Sequence, residues 1–515
     1  MSQVILFTGT SNFVSVRAIG AYQVASILRN SGYSVQVVDH FPLILYYYGI
    51  EKIKEIISTY VTTETLWIGI STTFLSPNML LDKNIRASAK HFLTKDNLLI
   101  LSDEDKKNLK EFTKSINSNT KWVAGGSRAW VLDEGYSLID YYIEGYAENS
   151  IIELTNYLKG KNPFLPQRKN RDESVSIIHD RKANSFDFTS YEFKWHDADL
   201  IDNYETLPIE ISRGCIFKCK FCSYPLNGKN KFDYIKNTDI LLKQFIYNYE
   251  KYNTTNYVFL DDTYNDSPYK VNLLYEKVFS KLPFQINWAS YVRLDLLSAH
   301  PETIDILYKS GLRSVFFGIE SLNYKSNKSV GKGMRPEKIY NTLKTIKEKW
   351  PNTILRGGFI LGLPYDDENT IRSWFSELLD DGYPLDSLAL AVLQIFPTAK
   401  KFLSAPWFND IELNPSQYGY TLEGKRDIWT NNVGLNKIKA TEIHSELIET
   451  MYYKNKFGWD WSQSFGLLNL GYKDLDTVHK IKVTKDVYDK EKISDKVSLM
   501  LDFYLQKLLS FPKII

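Results

Sequence analysis

The chain has 515 residues, of which 43% are hydrophobic and 14% aromatic, and these fractions are typical of globular proteins and not of disordered ones. Its 63 basic and 61 acidic residues leave a formal net charge of +2, so the sequence carries no overall charge signal for a nucleic-acid or membrane-surface partner. A chain of this length is expected to form about two to four domains.

The first segment predicts a strand and no export signal. The run Val4–Thr8 is apolar but short, and no charged region precedes it. No apolar run is long enough to cross a membrane as a helix. Because the three cysteines of the chain are clustered and odd in number, we expect a reducing, cytoplasmic setting.

Residues 1–160 alternate predicted strands and helices, and glycines follow several of the strands. This pattern is typical of a doubly wound parallel sheet, and it predicts a Rossmann-like α/β domain. The strands are predicted at Val4–Thr8, Ser34–Val38, Leu66–Ser71, Lys121–Ala124 and Tyr141–Glu144, and the helices at Arg17–Arg29, at Ile50–Tyr60 and from about Glu148.

Residues 161–206 are interpreted as a linker. They are rich in Lys, Arg, Asn, Asp and Pro and show weak periodicity. Their aromatic residues, which include Phe188 and Trp195, indicate that the segment packs against a domain.

Residues 207–405 contain six strand–helix units and predict a second α/β domain, with the strand number of a partial barrel. Several helices have a proline at their start and a glycine or proline beyond their end, as helix boundaries favour. The predicted strands are Ile209–Ile211, Tyr257–Leu260, Gln285–Val292, Ser314–Ile319, Ile354–Leu361 and Leu388–Ile395, and the helices are Thr238–Tyr252, Pro268–Lys281, Pro301–Lys309, Pro336–Trp350 and Glu368–Leu379.

Residues 406–515 break this alternation and predict a mainly helical accessory domain. Helices are expected over Lys437–Tyr453 and Lys496–Ser510. We expect this region to cover the mouth of the barrel or to shape a substrate site.

All three cysteines fall within eight positions, as Cys215, Cys219 and Cys222, with the spacing C-x3-C-x2-C. Three thiolates this close can hold three corners of a cubane iron–sulfur cluster, which leaves one iron open to a substrate or cofactor. A structural zinc site normally takes four ligands, and three cysteines cannot all pair in disulfides. The spacing therefore favours a 4Fe-4S cluster over a zinc site.

The cysteine segment closely resembles that of the radical S-adenosylmethionine (SAM) enzymes. The resemblance implies that the open iron chelates the amino and carboxylate groups of SAM, and that reductive cleavage of SAM yields a 5′-deoxyadenosyl radical. It also implies a partial (β/α)6 barrel for residues 207–405, with the cysteine loop after the first strand.

The same resemblance implies SAM contacts for two acidic strand ends and one aromatic residue. Phe221 corresponds to the aromatic residue that packs by the adenine. Asp262 ends the second strand, where a role towards SAM or the substrate and a helix N-cap both stay open. Glu320 and Ser321 match a Gly-Ile-Glu-Ser run whose glutamate contacts SAM in this family.

Three more candidates come from later strands. Arg293 follows a predicted strand, and Arg356 lies near the start of another. For each arginine two roles stay open: it binds the SAM carboxylate or ribose, or it forms a structural salt bridge. Gly362 ends a Gly-Phe-Ile-Leu-Gly run that resembles the family element whose backbone passes the adenine.

The first domain resembles the cobalamin-binding domain that precedes the barrel in one large radical SAM subgroup. Gly125 and Gly126 stand where that subgroup has its paired glycines. The D-x-H-x-x-G signature, whose histidine coordinates cobalt in some cobalamin proteins, is absent from the loop after the first strand. A cobalamin site and a Rossmann-like domain without ligand both stay open.

The sequence thus predicts a radical SAM enzyme with an unknown substrate and an electron donor such as flavodoxin or ferredoxin. If cobalamin binds, methyl transfer is the leading hypothesis. The alternatives are a cobalamin-independent radical SAM reaction, such as cyclisation, epimerisation or rearrangement, and a non-enzymatic iron–sulfur or zinc-binding module. No G-x4-G-K-[ST], H-E-x-x-H or G-x-S-x-G motif supports another chemistry.

Overall fold

The computed structural model describes residues 2–9, 16–71, 101–126, 138–162, 168–170, 176–179, 186–222, 232–395, 409–424, 428–454, 456, 458, 462–480 and 490–511. The chain divides into two compact units. The first comprises Met1–Asp187, Tyr191–Pro208 and Tyr488–Ile515, and the second comprises Phe188–Ser190 and Ile209–Val487.

The first unit is built on a seven-stranded sheet with the strand order β2-β1-β3-β4-β5-β7-β6. All neighbouring strands are parallel except β6 and β7, which are antiparallel. The strands are β1 Val4–Phe7, β2 Val35–Val38, β3 Trp67–Ser71, β4 Lys121–Gly126, β5 Tyr141–Glu144, β6 Arg168–Asn170 and β7 Ser176–His179. The predicted α/β class is therefore confirmed for this unit.

The helices of the first unit are α1 Ile19–Asn30, α2 Phe41–Tyr60, α3 Asp103–Ile116, α4 Glu148–Leu158 and, far along the chain, α16 Lys490–Ser510. Helix α2 starts earlier than predicted and bends at Gly49, whose backbone is not helical. Helix α3 was not predicted, although Ser102 and Asp105 form a capping box at its start.

The segment interpreted as a linker contains regular structure. It contributes β6 and β7 to the sheet, and the 3-10 helix Asp197–Asp199 follows. Arg17 forms a bidentate ion pair with Glu205, and Arg29 pairs with Asp199 at 2.8 Å. These pairs fix the segment on the first unit, and the two carboxylates that form them, Asp199 and Glu205, are buried.

The second unit is built on six parallel strands that lie in the order of the sequence, β8 to β13. These strands are β8 Leu207–Glu210, β9 Asn256–Leu260, β10 Asn287–Val292, β11 Leu312–Glu320, β12 Ile354–Leu361 and β13 Ser387–Val392. Sequential parallel strands joined by helices are the pattern of a barrel, as the sequence predicted.

The connecting helices are α5 Thr238–Tyr252, α6 Pro268–Lys277, α7 Leu294–Ala299, α8 Glu302–Lys309, α9 Tyr324–Ser329, α10 Pro336–Lys349 and α11 Glu368–Leu378. Helix α5 has the predicted bounds, and its N-cap Asn237 accepts hydrogen bonds from two backbone N–H groups. Stacked aromatic rings of Phe259, Phe279 and Trp288 form part of the core beside the sheet. Their burial keeps the strand ends, which carry the polar residues, in fixed positions.

After the barrel strands, the second unit continues with α12 Asp410–Leu413, the hairpin of β14 Thr421–Leu422 and β15 Trp429–Thr430, and helices α13 Lys437–Tyr453, α14 Gln463–Gly466 and α15 Leu475–Lys480. Helix α13 has the predicted bounds. The structure thus divides residues 406–515 differently from the sequence, because α16 belongs to the first unit. Within the described residues, no helix combines the length and apolar character that a membrane crossing requires.

Candidate functional site

A cavity of about 700 Å³, counted with its open mouth, lies at the carboxyl ends of the second unit's strands. Parallel α/β folds place ligands at this edge of the sheet. The cavity is lined by Cys215, Phe217, Cys219, Phe221, Cys222, Asp262, Thr263, Tyr291, Val292, Arg293, Phe316, Gly318, Glu320 and Lys332. It therefore brings together seven of the residues that the sequence singled out, namely the three cysteines, Phe221, Asp262, Arg293 and Glu320.

The cysteine loop follows β8 directly. Cys215 is buried, whereas Cys219 and Cys222 are partly exposed, and none of the three forms a disulfide. Burial raises the pKa of the Cys215 thiol, although nearby Thr263 and the Phe217 backbone N–H oppose that shift. The thiolate that a metal requires is thus disfavoured at Cys215 until a cation or cluster compensates its charge.

Two hydrogen bonds hold the backbone of Lys220, which lies between two of the cysteines. Its N–H donates to the carbonyl of Val330 at 3.0 Å, and its carbonyl accepts the N–H of Ile411 in α12 at 3.0 Å. Its side chain pairs with Asp410 at 2.8 Å. The loop is therefore braced from both sides, on one side by the turn after α9 and on the other by α12.

The turn after α9 also brings Gly331 against the cysteine loop. Gly331 has φ +85°, and a Cβ atom there would lie 3.7 Å from Cys219 Cα. The positive φ explains why glycine stands here, since other residues rarely adopt this backbone conformation.

Asp262 follows β9 and faces the cavity. Burial and the neighbouring charge of Asp261 raise the pKa of Asp262 to about 7, against the N–H of Gly214 and the charge of Lys270. Asp261 itself points away into a fully buried ion pair with Lys270, at 2.8 Å. Lys270 also donates to Ser212 and to the carbonyl of Thr263. This buried cluster fixes the strand ends beneath the cavity.

Glu320 and Lys332 form an ion pair at the cavity, with Nζ and Oε1 3.3 Å apart. Lys332 also donates to the carbonyl of Gly318 at 2.8 Å. Burial raises the pKa of Glu320, and the charge of Lys332 opposes the shift. Glu320 has φ +73° at a break in the strand register, a strained conformation that non-glycine residues adopt mainly at functional positions.

Arg293 is held against the cysteine loop. Its guanidinium binds Asp295 through Nε at 3.0 Å and Nη2 at 2.5 Å, and Nη1 donates to Cys219 Sγ at 3.4 Å. Its Cζ lies 3.8 Å from the centre of the Phe217 ring. Burial disfavours the charge, but Asp295 and Cys219 together raise the pKa of Arg293 above its ordinary value.

Three predicted residues of the second unit do not line the cavity. Ser321 is fully buried, and its hydroxyl accepts the backbone N–H of Asn323 at 3.0 Å and donates to Asp366 at 3.5 Å. Arg356 donates to the carbonyl of Gly458 at 2.7 Å and to Ser387. Gly362 has φ +91° and packs so closely on Trp429 that a Cβ atom would lie 2.1 Å from the indole ring. A structural contact explains the residue at each of these positions.

Gly125 and Gly126 end strand β4 in the first unit, at the carboxyl edge of its sheet. Gly126 has φ +152°, and Gly145 after the neighbouring strand β5 has φ +106°. Thr8, which follows β1 at the same edge, has a buried hydroxyl without a hydrogen-bond partner among the described residues. Small residues and an unsatisfied hydroxyl fit a ligand at this edge, but they do not select cobalamin.

Sequence reasoning missed Lys332 and Lys270, which are the cations that pair with Glu320 and with Asp261. Lys332 stands between two glycines, Gly331 and Gly333, which is a weak local signal of a tight turn near a ligand. Lys270 lies in the first turn of α6 and has no sequence signal beyond its charge.

The residues of the cavity fit an iron–sulfur cluster with SAM. Three cysteine thiols outside any disulfide can supply the soft ligands of the cluster, which leaves one iron without a cysteine ligand. Acidic and basic side chains line the same cavity as aromatic rings, which suits a ligand with an amino-acid end and a flat base.

A family model described as the radical SAM superfamily matches residues 209–377. The chain is 24% identical over 293 residues to an uncharacterized methyltransferase of Pyrococcus horikoshii, a match that covers 54% of this chain and 62% of that protein. It is also 24% identical over 211 residues to the bacteriochlorophyllide d C-12(1)-methyltransferase of Chlorobaculum tepidum, with 40% and 43% of the two chains covered. The chain therefore spans less than two thirds of either relative.

Among solved structures, the chain is similar to the radical SAM methyltransferase TsrM of Kitasatospora setae, which has cobalamin and a [4Fe-4S] cluster bound. The TM-score is 0.62 at 14% identity, with 97% of this chain and 100% of that one covered. The radical SAM enzyme OxsB, with aqua-cobalamin and SAM bound, gives a TM-score of 0.55 at 13% identity, with coverages of 98% and 66%. At these identities the likeness shows the fold, which agrees with the α/β architecture described above.

Proposed function

We propose that this chain, which carries a radical SAM domain over residues 209–377, is a radical SAM enzyme that transfers a methyl group with the help of cobalamin. The observation that carries the proposal is the single cavity that Cys215, Cys219 and Cys222 share with Glu320 and Lys332. This cavity offers thiol ligands for the cluster. Beside them it offers an acidic and a basic side chain, which can bind the ammonium and the carboxylate of the amino-acid end of SAM.

The three cysteines would hold the cluster, and the bound cluster with SAM supplies a one-electron reductive cleavage that starts radical chemistry. The braced backbone of Lys220 keeps the cysteine loop in place for that role. Because the loop is fixed before any cofactor binds, less ordering is needed when the cluster assembles.

The charged residues of the cavity would orient SAM. Glu320 presents an acid to the SAM ammonium group, and Lys332 is positioned to bind the SAM carboxylate once SAM separates their ion pair. Asp262, whose pKa is about 7, can act as a hydrogen-bond donor or acceptor near neutral pH. The rings of Phe221 and Phe316 provide apolar walls that exclude water.

The methyl-transfer part of the proposal is supported by the names of the two relatives and by the cobalamin in the TsrM and OxsB structures. The carboxyl edge of the first unit's sheet, with Thr8 and Gly126, is the expected place for cobalamin. The substrate that receives the methyl group is not identified by any residue of the cavity.

The test is an anaerobic assay on the full chain. The protein is reconstituted with iron and sulfide, mixed with SAM and dithionite, and assayed for 5′-deoxyadenosine with and without added cobalamin. We expect 5′-deoxyadenosine from the wild type and a loss of at least about a hundredfold in Cys222→Ala, since an iron–sulfur cluster needs each of its few thiolates. A flavodoxin or ferredoxin then replaces dithionite to identify the donor class.

The outcomes separate the alternatives. S-adenosylhomocysteine together with retained cobalamin supports methyl transfer. Cleavage of SAM without retained cobalamin supports a cobalamin-independent radical reaction instead. Full activity in Cys222→Ala, or a wild-type protein that binds zinc and never cleaves SAM, contradicts the assignment as a radical SAM enzyme.

A further inference from the structure

Arg293 occupies a fixed position immediately after β10. Its backbone N–H donates to Asn265 Oδ1 at 2.7 Å, and its carbonyl accepts a hydrogen bond from Asn265 Nδ2 at 3.0 Å. One side-chain amide therefore satisfies both backbone groups of Arg293. A residue held in this way cannot shift along the cavity wall without breaking two buried hydrogen bonds.

The guanidinium of Arg293 is fixed as firmly as its backbone. Asp295 binds its Nε and Nη2 edge in a bidentate manner, and the Phe217 ring lies 3.8 Å from Cζ. The remaining nitrogen, Nη1, donates to Cys219 Sγ at 3.4 Å. The cation is thus aimed at the sulfur of one cysteine.

This geometry changes the role that the sequence suggested. Arg293 was expected to bind the SAM carboxylate or ribose, or to form a structural salt bridge. In the structure the edge that binds carboxylates is already used by Asp295. Lys332, by contrast, pairs with Glu320 and donates to the carbonyl of Gly318. The two cations of the cavity therefore donate their short hydrogen bonds to different groups.

A cation that donates a hydrogen bond to a ligand sulfur alters the redox equilibrium of an iron–sulfur cluster. Reduction adds one electron, and hence one negative charge, to the cluster. A nearby positive charge and an N–H···S hydrogen bond stabilise the more negative state, and they do so more strongly in a buried site. Arginine keeps its charge at any accessible pH, so the effect does not depend on titration.

We propose that Arg293 raises the reduction potential of the cluster held by Cys215, Cys219 and Cys222, and so brings it within reach of a low-potential one-electron donor. This inference rests on the proposed function, because it requires the cluster. Asp295 and Phe217 act as positioning residues that keep the guanidinium directed at Cys219.

The test is a redox titration of the reconstituted full chain without SAM, followed by electron paramagnetic resonance of the reduced cluster. Arg293→Met is expected to lower the equilibrium constant for reduction by about tenfold, which corresponds to a midpoint potential about 59 mV more negative. Arg293→Lys keeps the charge and is expected to shift the potential less. An unchanged potential in Arg293→Met, with the cluster intact, overturns the inference.

Arg313→Met is the matched control. Arg313 is also an arginine on the barrel sheet, but it lies at the opposite end of β11 and donates to the carbonyls of Tyr308 and Leu312. It is roughly 23 Å from Glu320 along the strand, at about 3.3 Å per residue. An equal shift in Arg313→Met would reveal a general charge effect and would also overturn the inference.

A second measurement covers the case in which Arg293→Met does not keep the cluster. Wild-type protein labelled with 15N-arginine is reduced, and electron spin-echo spectra are searched for coupling between the cluster and a guanidinium nitrogen. The coupling is expected in the wild type and absent in Arg293→Lys, and its absence in the wild type contradicts the inference. If the wild type assembles no cluster, the proposed function fails first, and this inference fails with it.

Discussion

At the residue scale, Asp366 is a fully buried carboxyl whose partners, among the residues that the structure describes, include no cation. Its side chain accepts hydrogen bonds from Asn323 Nδ2 at 3.0 Å, from Ser326 Oγ at 3.2 Å and from Ser321 Oγ at 3.5 Å. Burial raises its pKa from 3.8 to about 7, although these hydrogen bonds oppose the shift. The protonated form is therefore retained in the folded protein at mildly acidic pH.

This pKa predicts how stability depends on pH. Between about pH 4 and pH 7 the carboxyl ionises in the unfolded chain but stays protonated in the folded one, so its contribution to stability is lost as pH rises. Asp366→Asn is expected to flatten this part of the profile by a few kcal/mol, the size expected when a pKa rises from 3.8 to about 7. Urea unfolding of wild type and variant at several pH values measures the difference.

Asp305→Asn is the control for that experiment. Asp305 is exposed and pairs with Lys349 on the surface of the same unit at 2.9 Å. Surface pairs of this kind contribute about 0–1 kcal/mol, and this variant is expected to follow the wild-type profile. Parallel profiles for wild type and Asp366→Asn would refute the assigned ionisation.

At the scale of elements, α12 is a four-residue helix that touches the cysteine loop through one backbone hydrogen bond. The N–H of Ile411 lies in the first turn of α12, where the helix itself does not use it, and it donates to the carbonyl of Lys220. The nearby pair of Lys220 and Asp410 is half-exposed and is expected to contribute little. The backbone bond is therefore the stronger part of the brace.

Ile411→Pro tests this brace, because proline removes the N–H donor, which α12 itself does not use in its first turn. The release of iron from the reconstituted protein to a chelator is expected to become roughly fivefold faster, in line with a hydrogen bond of about 1 kcal/mol. Ile411→Val keeps the N–H and most of the packing of this fully buried side chain, so it is the control. Equal rates in the two variants would argue against the brace.

The second unit was predictable from sequence because each of its strand–helix units carries local signals. Helices such as Pro336–Lys349 begin at a proline, and strands such as Ile354–Leu361 are apolar except for Arg356. The spacing of the cysteines predicted the place of the site for the same reason. The partners Lys332 and Ile411 were not predictable, because their contacts depend on which turns return to the cysteine loop.

Helix α3 and strands β6 and β7 were not predicted, and the physical reason differs between the helix and the strands. Helix α3 is strongly polar, so its apolar periodicity is weak even though its N-cap signal is present. Strands β6 and β7 are short, and they form in a segment whose composition is typical of loops. Ser321, Arg356 and Gly362 were singled out by resemblance, and the structure gives each a packing or hydrogen-bonding partner outside the cavity.

At the scale of the whole molecule, the first unit is assembled from distant parts of the chain. Helix α16 packs on α2, where Leu501 and Leu508 are fully buried and Tyr48 donates to Asp502 at 2.6 Å. The hydroxyl of Tyr504 accepts the backbone N–H of Asp39, just after β2, at 2.8 Å. The sequence carries no local signal for this return, because the periodicity of α16 specifies an apolar face but not its partner.

Tyr504→Phe tests the contribution of α16. The substitution leaves the buried N–H of Asp39 without its acceptor, and the expected cost is about 1–3 kcal/mol in the free energy of unfolding of the first unit. Tyr204→Phe, at an exposed tyrosine of the same unit, is expected to have no measurable effect. Chemical denaturation measures the free energy of unfolding of both variants. Equal values for the two variants would show that the hydroxyl of Tyr504 does not stabilise the first unit.

The return of α16 has a consequence for synthesis. The ribosome makes β1 and α2 first, but it releases α16 only after all of the second unit has been translated. Until then, the nascent first unit lacks the helix that covers Tyr60, whose hydroxyl donates to the carbonyl of Leu508. The domain that is made first is therefore completed last, and chains that stall before residue 490 are expected to expose the apolar surface that chaperones and proteases recognise.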